Sequence, residues 1–229
     1  MSLVPRWLRS GYDAVTQPIA RGLIATGINP NAITTVGTGI LVASGMAFAQ
    51  GRVRLGGALL LLSGVCDTLD GKVARASGRV SAFGAFYDST LDRIGESALF
   101  VGITIFFVRG GVPDGLQLIA VLASLMALAA GLLVSYARAR AEGLGLECKV
   151  GIAQRAERIL GLGVPTLFFA AGPDGRLLLV IVVLLGAVAG LTVLQRIAHV
   201  YRITREGLQQ ASPGPGSAIV EPARKGLDR

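Results

Sequence analysis

Residues 55–108 read LGGALLLLSGVCDTLDGKVARASGRVSAFGAFYDSTLDRIGESALFVGITIFFV. An apolar run opens this stretch and another closes it, and between them stand Asp67, Asp70, Asp88 and Asp92. Four carboxylates thus occupy positions where a lipid-facing sequence would be expected. The way the chain accommodates them decides both its fold and its chemistry.

The runs belong to a chain of 229 residues that is 52% hydrophobic and 16% charged, with a mean hydropathy of +0.62. That balance is too apolar for an ordinary soluble domain and reads as an all-α integral membrane protein. A helix needs roughly 17–25 apolar residues to cross the hydrocarbon core. Six segments qualify as transmembrane helices, at about 32–50, 55–75, 86–108, 115–137, 158–172 and 177–198, of which the fifth is the shortest. A spanning barrel would instead show short pieces of alternating polarity, and these runs are continuous Leu, Ala, Val and Gly.

Before the first span, Val4, Trp7, Leu8, Tyr12, Val15, Ile19 and Leu23 recur at helical spacing between residues 4 and 27. This stripe predicts an amphipathic helix lying in the membrane interface. The N-terminal region lacks the pattern of a cleaved signal peptide. With a cytosolic N-terminus, Arg6, Arg9, Arg21, Lys72, Arg75, Arg79, Arg138, Arg140, Lys149, Arg155, Arg158, Arg196, Arg202 and Arg205 all fall inside. Arg52, Arg54, Arg109 and Arg176 then fall outside. The positive-inside rule therefore favours a multi-pass protein of the cell membrane with both termini in the cytosol. The formal charge of +8 then faces anionic headgroups and substrates. A nucleic-acid partner is not expected, because the basic residues lack interleaved aromatic platforms. Residues 1–207 form the membrane domain in this reading, and 208–229, rich in Pro, Gly and Ser, a disordered tail. Cys66 and Cys148 lie near the reducing cytosolic side and read as small buried apolar residues.

Asp67 and Asp70 are three apart on the second span, and Asp88 and Asp92 four apart on the third, so each pair shares one helix face. The short connection between them predicts antiparallel neighbouring helices whose pairs face each other. Counting back from Arg75, the acids lie on the order of 10 Å inside the cytosolic boundary at ~1.5 Å per residue. Four close carboxylates at that depth repel strongly unless cations neutralise them. Oxygen ligands without His or Cys favour Mg²⁺, Mn²⁺ or Ca²⁺ over zinc. Two such ions about 3.5–4 Å apart form a clamp for phosphoryl transfer. Gly71, Ala74, Gly78 and Gly84 keep the helix surfaces open for a phosphate or nucleotide, and Arg75 stands where it can pair with phosphate. The same glycines also suit close helix packing. Intramembrane acids would serve a cation-coupled transporter as well, although transporter sites usually lie near the midplane within repeated halves, and no such repeat is visible.

Asp67-x-x-Asp70-Gly71-x-x-Ala74-Arg75, then eight residues, then Gly84-x-x-x-Asp88-x-x-x-Asp92, resembles the signature of the CDP-alcohol phosphatidyltransferases. The resemblance implies transfer of a phosphatidyl group from a CDP-linked lipid to an alcohol, with release of CMP. By position it makes Asp67, Asp70, Asp88 and Asp92 the ligands of two Mg²⁺ or Mn²⁺ ions, with Asp92 also the general base toward the attacking hydroxyl. It lines the CDP-lipid pocket with Gly71, Arg75, Ser81 and Gly84, and with Asn31, Ala32, Ile33 and Thr34 at the start of the first span. Read by themselves, Asn31 and Thr34 equally suit a helix-start cap after Pro30.

Asn31-Ala32-Ile33-Thr34, Ser135-Tyr136-Ala137-Arg138-Ala139-Arg140-Ala141-Glu142 and Glu157-Arg158 are similar to the branch of that family that makes phosphatidylinositol phosphate from CDP-diacylglycerol and inositol 1-phosphate. That similarity implies a pocket of Arg138, Arg155 and Arg196 for the acceptor's phosphate, and a homodimer. Positive-inside anchoring would also account for these arginines. Other acceptors compatible with the motif are glycerol 3-phosphate and myo-inositol, and an archaeal-type ether lipid is an alternative donor. Glu96 continues the Asp88 and Asp92 face by one turn, toward an arginine such as Arg75 or as a protonated packing group. His199 reads as an interfacial residue, and Gly186-x-x-x-Gly190 as a helix contact.

Overall fold

The computed structural model describes the backbone of residues 6–152 and 155–211, and the side chains of 16–152 and 156–206. Seven α-helices carry the described chain: α1 Arg6–Ala25, α2 Pro30–Ala49, α3 Val53–Ala76, α4 Ala82–Val108, α5 Asp114–Glu142, α6 Arg155–Phe169 and α7 Arg176–Ala211. No strand occurs among the described residues.

Local sequence explains the breaks that frame the acidic stretch. Asn29 caps α2, its side chain accepting from the Asn31 N–H at 3.0 Å, with Pro30 in the first turn. The cap is therefore Asn29, and Asn31 supplies the donor rather than the capping oxygen. At the other end of the motif α3 stops at Ala76, and Gly78 takes a left-handed φ of 66°. Ser81 then caps α4 by accepting from the Gly84 N–H at 3.0 Å.

Each of the six expected spans overlaps one helix from α2 to α7. By length and composition, Pro30–Ala49, Asp114–Glu142 and the stretch Pro173–Glu206 are apolar enough to cross a membrane. Helices α3 and α4 are 24 and 27 residues long but carry the acids, and α6 has only 15 residues with Pro165 inside. Helix α6 stops at Phe169 rather than near 172, because Ala170 and Gly172 both adopt positive φ. Helix α7 continues to Ala211, so residues 208–211 of the expected tail are helical. The polar residues after Gln195 end the apolar run without breaking the helix. Residues 212–229 lie outside the described residues.

Helices α2 to α7 close into a ring in the order α2, α3, α6, α7, α5, α4 and back to α2. Its interior is filled by Leu41, Phe48, Leu60, Ile103, Phe107 and Leu178, among other buried apolar side chains. Where α2 crosses α4 the backbones nearly touch. A Cβ at Gly102 would run into the Gly45 carbonyl oxygen, and one at Gly45 into that of Ala98. The α5–α7 contact rests on Gly186, where an added Cβ would lie 3.2 Å from that of Ala127, whereas Gly190 faces open space.

Helix α1 lies outside the ring against α3. Its Ala20 is buried with Ile33, Leu69 and Val73, and Leu23 and Ile24 pack on them. Ile19 is exposed. Of the remaining stripe, Val4 and the side chains of Trp7, Leu8, Tyr12 and Val15 lie outside the described residues. Cys66 is half-buried, Cys148 is buried, and both are free thiols.

Candidate functional site

The acids meet across a gap. Helices α3 and α4 do not pack on each other; α2 packs on both and stands between them. The expectation of directly neighbouring helices is therefore corrected, because the intervening helix is supplied from before the motif. Carboxylates nevertheless bridge the gap. One oxygen each from Asp67, Asp70 and Asp88 lies within 4.8 Å of the others.

Asp92 stands one turn further along α4, outside that three-oxygen group. With Asp67, Asp70, Thr34 and Ser63 it lines a cavity of about 10 Å³, about the space of one water-sized sphere. Arg93 approaches its Oδ2 at 3.5 Å. Three hard oxygens on two rigid helices fit Mg²⁺ or Mn²⁺ and offer nothing that would select zinc.

Asp70 is oriented from α2. Thr34 Oγ1 donates to its Oδ2 at 2.8 Å, and both residues are buried. A ligand carboxylate held this way keeps one lone-pair direction free for an ion, and loss of such a supporting contact typically costs 10–100-fold in metal affinity. The Thr34→Val variant is expected to bind Mn²⁺ about tenfold more weakly. Titration followed by the electron spin resonance of free Mn²⁺ would check this, and unchanged affinity would contradict it.

The residues assigned to the CDP-lipid pocket fall into three places. Asn31, Ser81 and Gly84 come together where α2 and α4 begin: a Cβ on Gly84 would lie 3.1 Å from Ser81 Oγ and 3.5 Å from Asn31 Oδ1. Gly71 lies beneath the Arg75 guanidinium, whose nearest nitrogen would be 3.3 Å from an added Cβ. Ile33 turns the other way, into the cluster with Ala20, and Ala32 is exposed. Thr35 Oγ1 and the Tyr87 hydroxyl share a hydrogen bond of 2.9 Å that ties α2 to α4 just above this end.

The three arginines expected to hold an acceptor's phosphate stand on α5, α6 and α7, the other half of the ring. Arg138 on α5 donates from Nε to Glu142 at 2.8 Å. Arg196 on α7 donates to the carbonyls of Val150 and Val134, and so fastens the loop before α6 to α5. Arg155 begins α6, and its side chain lies outside the described residues. His199 Nε2 lies 3.1 Å from the Glu147 carbonyl oxygen and holds the same loop from α7.

The arginine that partners Glu96 differs from the one expected. Glu96 does not meet Arg75. It pairs with Arg158 of α6, and Arg93 approaches its other oxygen at 3.7 Å. Arg93 thereby stands between Asp92 and Glu96, which connects the acidic cleft to α6. Glu96 and Arg158 are 62 residues apart, and nothing in either local pattern signals the pairing. Gly131 on α5 makes room for it: an added Cβ would lie 2.7 Å from Arg158 and 2.8 Å from Glu96. Gly131→Ala is expected to destabilise the protein by about 1–3 kcal/mol through overpacking. Thermal unfolding in detergent measures this, and a Tm equal to that of the parent would show that the pair can move aside.

Comparison with known proteins places this arrangement in context. Residues 28–194 match the CDP-alcohol phosphatidyltransferase family. The matched range includes all four aspartates, Arg138 and Arg155, and stops just short of Arg196. The phosphatidylinositol phosphate synthase of Cutibacterium acnes is 42% identical over 156 residues, covering 66% of this chain and 72% of that protein. The archaetidylinositol phosphate synthase of Methanothermobacter thermautotrophicus is 41% identical over 175 residues, covering 74% and 82%. The crystal structure of Mycobacterium tuberculosis phosphatidylinositol phosphate synthase with CDP-DAG bound is similar with a TM-score of 0.71 at 33% identity, covering 82% of this chain and 94% of that one. The same enzyme in complex with manganese and citrate gives 0.70. With the family matched over most of its length and the acidic cluster assembled, the chain belongs to the CDP-alcohol phosphatidyltransferases.

Proposed function

We propose that the chain transfers the phosphatidyl group of CDP-diacylglycerol to inositol 1-phosphate, releasing CMP and forming phosphatidylinositol phosphate. The observation that carries this reading is the convergence of Asp67, Asp70 and Asp88 beside Asp92, in a chain whose relatives include phosphatidylinositol phosphate synthases. In this reading the three aspartates, with Asp92 at the edge, hold divalent ions that supply charge neutralisation for the pyrophosphate and its leaving group.

The protein's own side chains do the rest. Asn31, Ser81 and Gly84 form the nucleotide end with Ala32 exposed beside them, Ile33 anchors this end of α2 through the cluster with Ala20, Thr34 orients Asp70, and Gly71 leaves space for the pyrophosphate beside Arg75. Asp92 takes the proton of the acceptor hydroxyl. That hydroxyl oxygen forms a bond to the lipid-bearing phosphorus, and the bond from this phosphorus to the CMP oxygen breaks. Arg138, Arg155 and Arg196 hold the acceptor's phosphate. Six membrane spans, both termini in the cytosol and a homodimer belong to the same reading. Support for the span count comes from the closed ring that the six helices α2 to α7 form.

A second donor is favoured by one observation, the 41% identity to an archaetidylinositol phosphate synthase. An ether-linked CDP lipid is therefore the alternative to the diacyl form.

Purified protein given CDP-diacylglycerol or its ether analogue, Mg²⁺ or Mn²⁺, and a panel of acceptors should release CMP with inositol 1-phosphate. CMP release with glycerol 3-phosphate or free inositol alone would reassign the acceptor, and no release with any acceptor would defeat the enzyme reading. For Arg155→Gln, the KM for inositol 1-phosphate is expected to rise about tenfold or more, as for a lost charged hydrogen bond, and the donor KM to stay nearly constant. Equal rises in both would remove Arg155 from an acceptor pocket.

A further inference from the structure

Asp88, Asp92 and Glu96 follow one another at four-residue intervals along α4, so the acids of the cleft and Glu96 share one helix face. Like charges at this spacing repel. Arg93 is the cation between the last two. Its side chain leaves the helix about 100° around from that of Asp92, yet it folds back to bring Nη2 to 3.5 Å from Asp92 Oδ2, and its Nε lies 3.7 Å from Glu96 Oε2. Both separations exceed the roughly 2.7–3.2 Å of an N–H···O hydrogen bond. Arg93 Nε is buried and has no hydrogen-bond partner. The guanidinium is thus drawn by charge toward two carboxylates and committed to neither.

Glu96 is itself fixed from outside α4. Its Oε1 accepts from Arg158 in the first turn of α6, which leaves Oε2 to face Arg93. Among the described residues α4 and α6 make no backbone contact. Beside the ion pair the interior of the ring is incompletely filled: Glu96 and Arg158 line, with Leu41, Leu60, Phe100 and Leu162 among others, an otherwise apolar cavity of about 40 Å³. With space left in the packing, the direct tie between these two helices is the side-chain bridge.

On the phosphatidyl-transfer reading, we propose that Arg93 is a positioning residue for Asp92, set by Glu96 and Arg158, so that the proton-accepting carboxylate is aimed at the acceptor hydroxyl only while the start of α6 is docked. The chain Asp92, Arg93, Glu96, Arg158 alternates in charge and runs from the acidic cleft to the helix that begins with Arg155. It ties the base to the helix on which the acceptor's phosphate is expected to rest. Glu96 and Arg158 act through Arg93 rather than on the substrates.

Steady-state CMP release with CDP-diacylglycerol, inositol 1-phosphate and Mg²⁺, measured on the full chain in detergent, tests this. Arg93→Gln is expected to lower kcat by about ten- to a hundredfold, the effect of a misplaced reacting group, with both KM values within about twofold of the parent. The Arg93 side chain is 30% exposed, so its replacement leaves the buried ion pair intact. The double variant Glu96→Gln, Arg158→Gln removes both charges of the bridge without stranding one of them, and should lose kcat to a similar extent. Glu96→Asp keeps the charge but shortens its reach by one carbon, and kcat should fall there too, which covers the case in which the double variant does not fold. In an Asp92→Asn background, Arg93→Gln should cost less than about twofold further, because residues that act through one group are not additive. A purely structural role would instead multiply the two losses. Multiplied losses, or a parent-like kcat in Arg93→Gln, would overturn the positioning, and a parent-like kcat in the folded bridge variants would overturn the link to α6. Absence of CMP release from the parent with any acceptor would overturn the phosphatidyl-transfer reading and the positioning with it, whereas an active parent with any of the preceding results overturns the positioning alone.

Discussion

In the Asp92→Asn variant, CMP release is expected to fall by about 10²–10⁴-fold, the range for removal of a positioned general base. The amide keeps the size and shape of the carboxylate, so the cavity it shares with Asp67 and Asp70 should persist. What it lacks is the ability to accept a proton. Asp92 lies outside the group of three oxygens that Asp67, Asp70 and Asp88 bring together, so those three remain for the ions. Donor binding, followed by titration with CDP-diacylglycerol, should therefore change little. Turnover close to that of the parent would exclude the proton-accepting role, and loss of donor binding together with turnover would make Asp92 chiefly a ligand.

The largest expected effect on stability is that of Gly102→Ala. The obstacle to its methyl group is the Gly45 backbone carbonyl, which cannot rotate away as a side chain would. The cost should reach the upper end of the usual overpacking range, about 3 kcal/mol, or roughly 6–12 °C in Tm for a chain of this size. Since α2 also carries Thr34 onto Asp70, a forced separation of α2 from α4 should reduce activity as well. Gly190→Ala on α7 is the matched comparison. It meets nothing within 4 Å, so helix propensity alone should make it neutral or slightly stabilising. Equal Tm values for the two variants would contradict the α2–α4 contact.

Much of this architecture is legible in the amino-acid order, because hydropathy reports burial in lipid and helical spacing reports faces. Continuous apolar runs mark α2 to α5 and the apolar part of α7, and the three- and four-residue spacings put each aspartate pair on one side of its helix. What spacing cannot specify is the partner of a face. The acids of α3 and α4 looked like those of two touching helices, and the helix between them comes from residues 30–49. Thr34 carried a capping signal after Pro30, yet its hydroxyl reaches Asp70. Glu96 was legible as part of the acidic face, but Arg158 lies on a helix two elements later. Helix α6 was the weakest of the apolar signals, since its boundaries depend on the left-handed residues at 170 and 172 rather than on hydropathy.

The ring order also has a consequence in time. Helices α3, α2, α4 and α5 form a continuous arc of neighbours, and all four leave the ribosome before α6 and α7. The last two helices touch each other, α6 meets the α3 end of the arc, and α7 meets its α5 end. They act as a closing hairpin. Until it arrives, Glu96 stands on the inner wall of an open arc without its partner from α6. The helix that brings Arg158 is the shortest of the six and contains a proline, so it has the least intrinsic reason to enter a bilayer alone. The Glu96–Arg158 pair joins this helix to α4 across the ring, so it is a contact that only the closed ring can make.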